Sequence, residues 1–249
     1  TGLSSRAAEK HGREVEGMRA MICRAWGAPD QLHLEEVEPP QPAANQVRIK
    51  ISASCVNFAD TIMIQGQYQT RPDFPFAPGL EACGEVLECG NGATRFKPGD
   101  RVMALLGYGG FAEQALAREA DCFHVPDSMS DDIAASFLIG YVSSHVAIRW
   151  QGKLEAGETL LVLGASGGVG LTAVEIGKAL GATVIAAASS AEKLEITRQH
   201  GADELIDYKR DSLKARVAEI TSGAGADVCY DPVGGDLFDE ALSSLAWGG

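Results

Sequence analysis

The chain has 249 residues, enough for one large domain or two ordinary ones, and 45% of them are hydrophobic and 22% charged. That balance is the globular average and excludes collagen-like, coiled-coil and disordered chains. With 21 basic against 34 acidic residues the net charge is −13, so neither nucleic acid nor an anionic membrane is an expected partner. No stretch approaches the ~20 apolar residues that a membrane helix needs.

Residues 1–17 are polar, mix both charges and lack an apolar core. They read as a flexible extension rather than a signal peptide, which leaves a cytoplasmic address as the default. From Met21 to about Pro126 short apolar segments at 32–37, 47–52, 82–87, 102–106 and 111–116 alternate with turn signals such as Gly90-Asn91-Gly92 and Lys97-Pro98-Gly99-Asp100. This is the pattern of an antiparallel β domain, a partly closed barrel. The run 131–150 has few breakers and is expected to hold one or two helices. Strands at 159–163, 183–187, 204–206 and 227–230 then alternate with helices at 168–180, 191–200, 212–221 and 237–246. Repeated βα units imply a parallel, doubly wound sheet. The chain stops after the fourth helix, where such a sheet normally continues, so the fold is expected to be truncated at its C-terminus.

The six cysteines are Cys23, Cys55, Cys83, Cys89, Cys122 and Cys229, with no C-x-x-C pair and no histidine at zinc-finger spacing. Reduced thiols in or near the core are expected.

Chemistry first shows at Gly164-Ala165-Ser166-Gly167-Gly168-Val169-Gly170, between a buried strand and an apolar helix. A glycine-rich turn lets backbone approach a pyrophosphate, and free N–H groups at the helix start favour its charge. Ala165, Ser166, Gly167, Gly168, Val169 and Gly170 are therefore candidate cofactor-binding residues, although the match is A-x-G-x-x-G rather than G-x-G-x-x-G. An NAD site carries an acidic side chain at the end of the second strand, and here that end reads Ala186-Ala187-Ala188-Ser189-Ser190. Ser189 and Lys193 offer a hydroxyl and a cation to a 2′-phosphate, and Tyr208 a phenol, so NADP(H) is the expected cofactor, with Glu192 the residue that argues for NAD.

The ordered set Cys55-Val56-Asn57-Phe58-Ala59-Asp60, Pro78-Gly79-Leu80-Glu81, Lys97-Pro98-Gly99-Asp100, Gly109-Gly110-Phe111, the glycine-rich turn and Asp231-Pro232-Val233-Gly234-Gly235 closely resembles the medium-chain dehydrogenase/reductase superfamily. The nearest branch is the zinc-free NADPH:quinone oxidoreductases. The resemblance implies a GroES-like β-barrel catalytic domain over 18–140 and a Rossmann domain over 141–249, with the active site between them. It also implies a homodimer for full-length relatives, through a Rossmann edge built from a part this chain lacks. At the positions of the family's catalytic zinc ligands stand Asn57, Ile62 and Leu80, and a carboxamide and two aliphatic chains cannot replace thiolate and imidazole.

The resemblance makes Asn57 and Tyr68 the candidate catalytic residues. Asn57 would hydrogen-bond a substrate carbonyl or the nicotinamide ribose, and Tyr68 would pack on a flat ring or donate its phenol. Asp60 reads as a helix-start carboxylate. The family's nicotinamide-facing threonine falls on Val142 or Ser143 depending on register, and Ser143 is the candidate cofactor-binding residue. The expected activity is zinc-independent reduction of a quinone by NADPH; the alternatives are reduction of an enone or enoyl C=C bond and non-catalytic NADPH binding.

Overall fold

The computed structural model describes residues 17–249, so the extension expected over 1–17 lies, Gly17 apart, outside the described residues. They divide into two compact units, the first ending at Ser136 and the second beginning at Phe137.

The first unit contains β1 (Met18–Ile22), β2 (His33–Val37), β3 (Gln46–Ser54), α1 (Phe58–Ile64), β4 (Glu81–Cys89), β5 (Arg101–Leu105), β6 (Gln114–Arg118), β7 (Cys122–His124) and α2 (Asp131–Ala135). β1 and β2 form an antiparallel pair, and the other five make an antiparallel sheet in the order β6-β3-β4-β5-β7. Its inward residues Val47, Ile49, Val86, Phe96, Val102, Ala104, Ala117 and Cys122 close into one core. Alternation along β3 and β5 puts those side chains on one face.

The strand expected at 111–116 is displaced, because β6 begins only at Gln114. The cause is a change of partner. Met21 N donates to Phe111 O at 2.8 Å and Ala20 bridges Ala112, so the first residues of this extended stretch pair with β1. From Gln114 the stretch pairs with β3. β1 and β7 are strands that the sequence reading did not mark.

The second unit runs α3 (Phe137–His145), β8 (Thr159–Leu163), α4 (Gly168–Ala179), β9 (Thr183–Ala188), α5 (Ala191–Gln199), β10 (Glu204–Asp207), α6 (Leu213–Ile220), β11 (Val228–Tyr230) and α7 (Leu237–Leu242). After α3 the chain widens into a short π-helical turn, Val146–Gln151. The helix expected to run to 246 stops at Leu242. The sheet is parallel, in the order β10-β9-β8-β11. β8 is buried on both faces. Leu160 and Val162 pack with Ala173 and Val174 of α4, while Leu161 and Leu163 pack with Leu213 and Val217 of α6. Each leucine or valine among them taken out of water contributes about 1.5–3 kcal/mol. Ser190 and Ser212 cap α5 and α6, their hydroxyls accepting from the N–H of Lys193 and Ala215.

Candidate active site and cofactor-binding residues

The glycine-rich turn joins β8 directly to α4, whose first residue is Gly168 and whose cap, Gly167, has no side chain to offer. The N–H groups of Gly168, Val169 and Gly170 have no acceptor inside the helix and stand at its positive end. Gly167 and Gly168 are exposed, and a Cβ on Gly168 would meet nothing within 4 Å. A Cβ on Gly170, by contrast, would stand 2.3 Å from Gly164 O and 2.8 Å from Ala165 Cα. Gly168 leaves the approach to the turn open, while Gly170 lets α4 sit against β8. Ala165 is a core residue: it is 0% exposed, and its N–H donates to Ala187 O at 3.1 Å. It shapes the turn from behind, and its amide is already committed.

At the end of β9 the side chains of Ser189 and Lys193 meet, Lys193 Nζ donating to Ser189 Oγ at 3.1 Å. Tyr208 follows β10 and is tied to the same end by its N–H, which donates to Ala188 O at 3.2 Å; its ring is half-buried against the α6 side of the sheet. Glu192 is exposed in the first turn of α5. The hydroxyl and the cation thus meet at the end of β9, with the backbone of Tyr208 beside them. A diphosphate at the turn and a 2′-phosphate at this end fit the donors present, and a fixed cation beside a hydroxyl is an oxyanion partner.

Ser143 is exposed on α3. Its neighbour Ser144 is 0% exposed and is bonded to α4, a placement the sequence did not signal.

In the first unit, Asn57 precedes α1. Its backbone N–H donates to Asp60 Oδ2 at 2.8 Å, and Asp60 Oδ1 accepts from Gly79 N at 3.1 Å. Asp60 is 3% exposed, so it clips the start of α1 to the turn before β4. Burial pushes its carboxyl up, against the pull of the Asn57, Gly79 and Leu80 N–H groups. This clip sets Glu81, the first residue of β4, beside Asn57, whose Nδ2 donates to Glu81 Oε1 at 3.0 Å. Glu81 is 1% exposed and also receives a hydrogen bond from Cys55. Burial first, then the charges of Glu81 and Asp60, push the Cys55 thiol up.

The Asn57–Glu81 contact fixes which way the carboxamide faces. A carboxylate only accepts, so Nδ2 turns toward it, while the side-chain oxygen faces the Asp60 N–H in a capping box at the start of α1, leaving the second N–H of Asn57 for another partner. Glu81 was missed in the sequence reading, though it stands in the Pro78-Gly79-Leu80-Glu81 motif. Tyr68 lies half-buried in the loop after α1. The end of that loop is packed by Phe74 and Phe76 against Trp26, with ring centroids 4.5 and 6.0 Å from it.

Two cavities open on this unit, of about 610 and 870 Å³. Neither is lined by Asn57 or Tyr68, and neither is assigned a part in the reaction. Of the three zinc-ligand positions, Asn57 is held by Glu81, Ile62 lies half-buried on α1 and Leu80 is buried. Among the described residues no three His, Cys, Asp or Glu side chains gather as a metal site. Among the described residues no helix is long and apolar enough to cross a membrane.

Residues 43–127 match the family model of the alcohol dehydrogenase GroES-like domain, and residues 168–249 that of the zinc-binding dehydrogenases. A quinone oxidoreductase of Pseudomonas aeruginosa is 38% identical over 223 residues, which is 89% of this chain and 68% of that protein. Quinone oxidoreductase-like protein 2 of Bos taurus is 39% identical over 93% of this chain, which spans 66% of that relative's length. Among solved structures, Escherichia coli quinone oxidoreductase complexed with NADPH superposes with a TM-score of 0.84 at 30% identity, over 92% of this chain and 69% of that one. The β half-barrel followed by a parallel nucleotide-binding sheet is the architecture these matches share. The chain belongs to the medium-chain dehydrogenase/reductase superfamily, in its quinone oxidoreductase branch.

Proposed function

We propose that the protein is an NADPH-dependent quinone reductase that works without zinc. The observation that carries this reading is the pairing of Ser189 and Lys193 at the end of β9, where an NAD site carries an acidic side chain. Its support from likeness is that the relatives above are named quinone oxidoreductases, one of them solved with NADPH.

NADPH, when bound, supplies the hydride. The N–H groups of Gly168, Val169 and Gly170 hold the diphosphate, and Ser189 and Lys193, with the phenol of Tyr208, hold the 2′-phosphate. Asn57, oriented by Glu81, offers its remaining N–H to a quinone oxygen or a ribose hydroxyl. Tyr68 packs on the flat acceptor from the loop after α1. Quinone carbonyls are already electrophilic, so hydrogen bonding suffices where an ordinary ketone needs a Lewis acid. The residues at the zinc positions are no zinc donors, and no step passes through a metal.

The test is NADPH oxidation on addition of small quinones, repeated after exhaustive dialysis against a zinc chelator. An undiminished rate is expected. A rate lost to the chelator and restored by zinc overturns the zinc-free part, and no quinone-dependent oxidation overturns the whole. Residence in the cytoplasm belongs to the same proposal, as does homodimerisation for a full-length relative rather than for this chain, which size-exclusion chromatography with light scattering tests.

A further inference from the structure

The strongest polar cluster outside the residues already given a role lies behind the glycine-rich turn. Ser144 of α3 is 0% exposed, and its Oγ donates to Val169 O, in the first turn of α4, at 2.8 Å. The same oxygen lies 2.8 Å from Thr172 Oγ1 and 3.4 Å from the phenol oxygen of Tyr230, at the end of β11. Thr172 Oγ1 reaches Val169 O at 3.0 Å and Gly140 O, back on α3, at 3.2 Å. Two hydroxyls, one from α3 and one from α4, therefore converge on the carbonyl of the residue between Gly168 and Gly170, with the Tyr230 phenol beside Ser144. The helices are close enough for this because residue 140 is glycine: a Cβ there would stand 3.2 Å from Thr172 Cγ2.

Apolar helix contacts tolerate small slides, whereas hydrogen bonds restrict direction and a buried hydroxyl is costly to leave unpaired. The cluster fixes where the first turn of α4 sits, and hence where its free N–H groups point. We propose that Ser144, with Thr172, is a positioning residue for the cofactor diphosphate, acting through the first turn of α4. This rests on the NADPH reading given above and deepens it. Neither hydroxyl touches the cofactor: Ser144 is fully buried and Thr172 is spent on backbone carbonyls.

The test is the dissociation constant of NADPH beside that of adenosine 2′-monophosphate, measured by tryptophan quenching or calorimetry on the full chain. The nucleoside monophosphate occupies the Ser189–Lys193 end but carries no diphosphate. Ser144→Ala is expected to weaken NADPH about tenfold, the loss of one buried hydrogen bond, and to leave the monophosphate within a factor of two. Thr172→Val, which keeps the side-chain shape, should shift the same ratio in the same direction and serves if Ser144→Ala does not fold. Equal weakening of both ligands would mean a general structural role, and no change in either would mean that the turn holds itself; each overturns the proposal. A wild-type chain that binds the monophosphate but not NADPH overturns it too, and one that binds neither overturns the cofactor reading itself.

Discussion

A carboxylate buried at the start of β4 governs what Asn57 presents. Glu81 is 1% exposed and accepts from Asn57 Nδ2 at 3.0 Å, so the orientation of the carboxamide follows from the charge behind it. Glu81→Gln keeps the shape, but its amide can donate as well as accept, and Asn57 loses its bias. The expected result is a fall of about tenfold in kcat for quinone reduction with an unchanged NADPH dissociation constant. Asn57→Ala should cost about a hundredfold in kcat/KM. Wild-type turnover in both variants would remove the pair from the reaction.

The thiols belong to the same scale. Cys83 and Cys122 are 0% exposed, and burial, reinforced by acidic neighbours, pushes them up to about 11 and about 12. At pH 8 iodoacetamide should leave both unlabelled in the folded protein and label both after denaturation. Because their folded values lie above the unfolded ones, the stability they contribute is complete below the ordinary thiol range and is lost as pH rises towards 11–12. Labelling of either at pH 8 without unfolding contradicts this.

Among elements, the β8–α4 connection separates packing from binding within one motif. Gly170→Val pushes a side chain into Gly164 O and Ala165, and should lower stability by about 2–3 kcal/mol in a denaturant titration. Gly168→Asp meets open space, so the protein should fold normally and lose NADPH through repulsion. If Gly168→Asp binds NADPH like the wild type, the turn is not the diphosphate site. The same connection was the most legible part of the sequence, because a strand buried on both faces and an apolar helix leave continuous apolar runs on either side of a glycine-rich stop. The first unit was less legible. Its strands are short, and 111–118 changes partner from β1 to β3 at a point no local pattern marks. At the proposed site the candidate glycines, Ser189 and Lys193 come from spacing alone, whereas Ser144 and Glu81 leave no local signal. Their roles depend on residues 25 and 24 positions away.

For the molecule as a whole, a net charge of −13 opposes any anionic cofactor at long range, so binding must come from a local arrangement. Lys193 is the cation at that point, and Lys193→Glu should raise the KM for NADPH about tenfold or more while barely moving that for NADH. An equal effect on both cofactors would place Lys193 outside the 2′-phosphate site. The central claim is tested most directly by the rate of NADPH oxidation, with NADH alongside, when a panel of small quinones is added to the purified chain. Quinone-dependent turnover that favours NADPH is predicted. NADPH binding without turnover, or turnover indifferent to the 2′-phosphate, would contradict it.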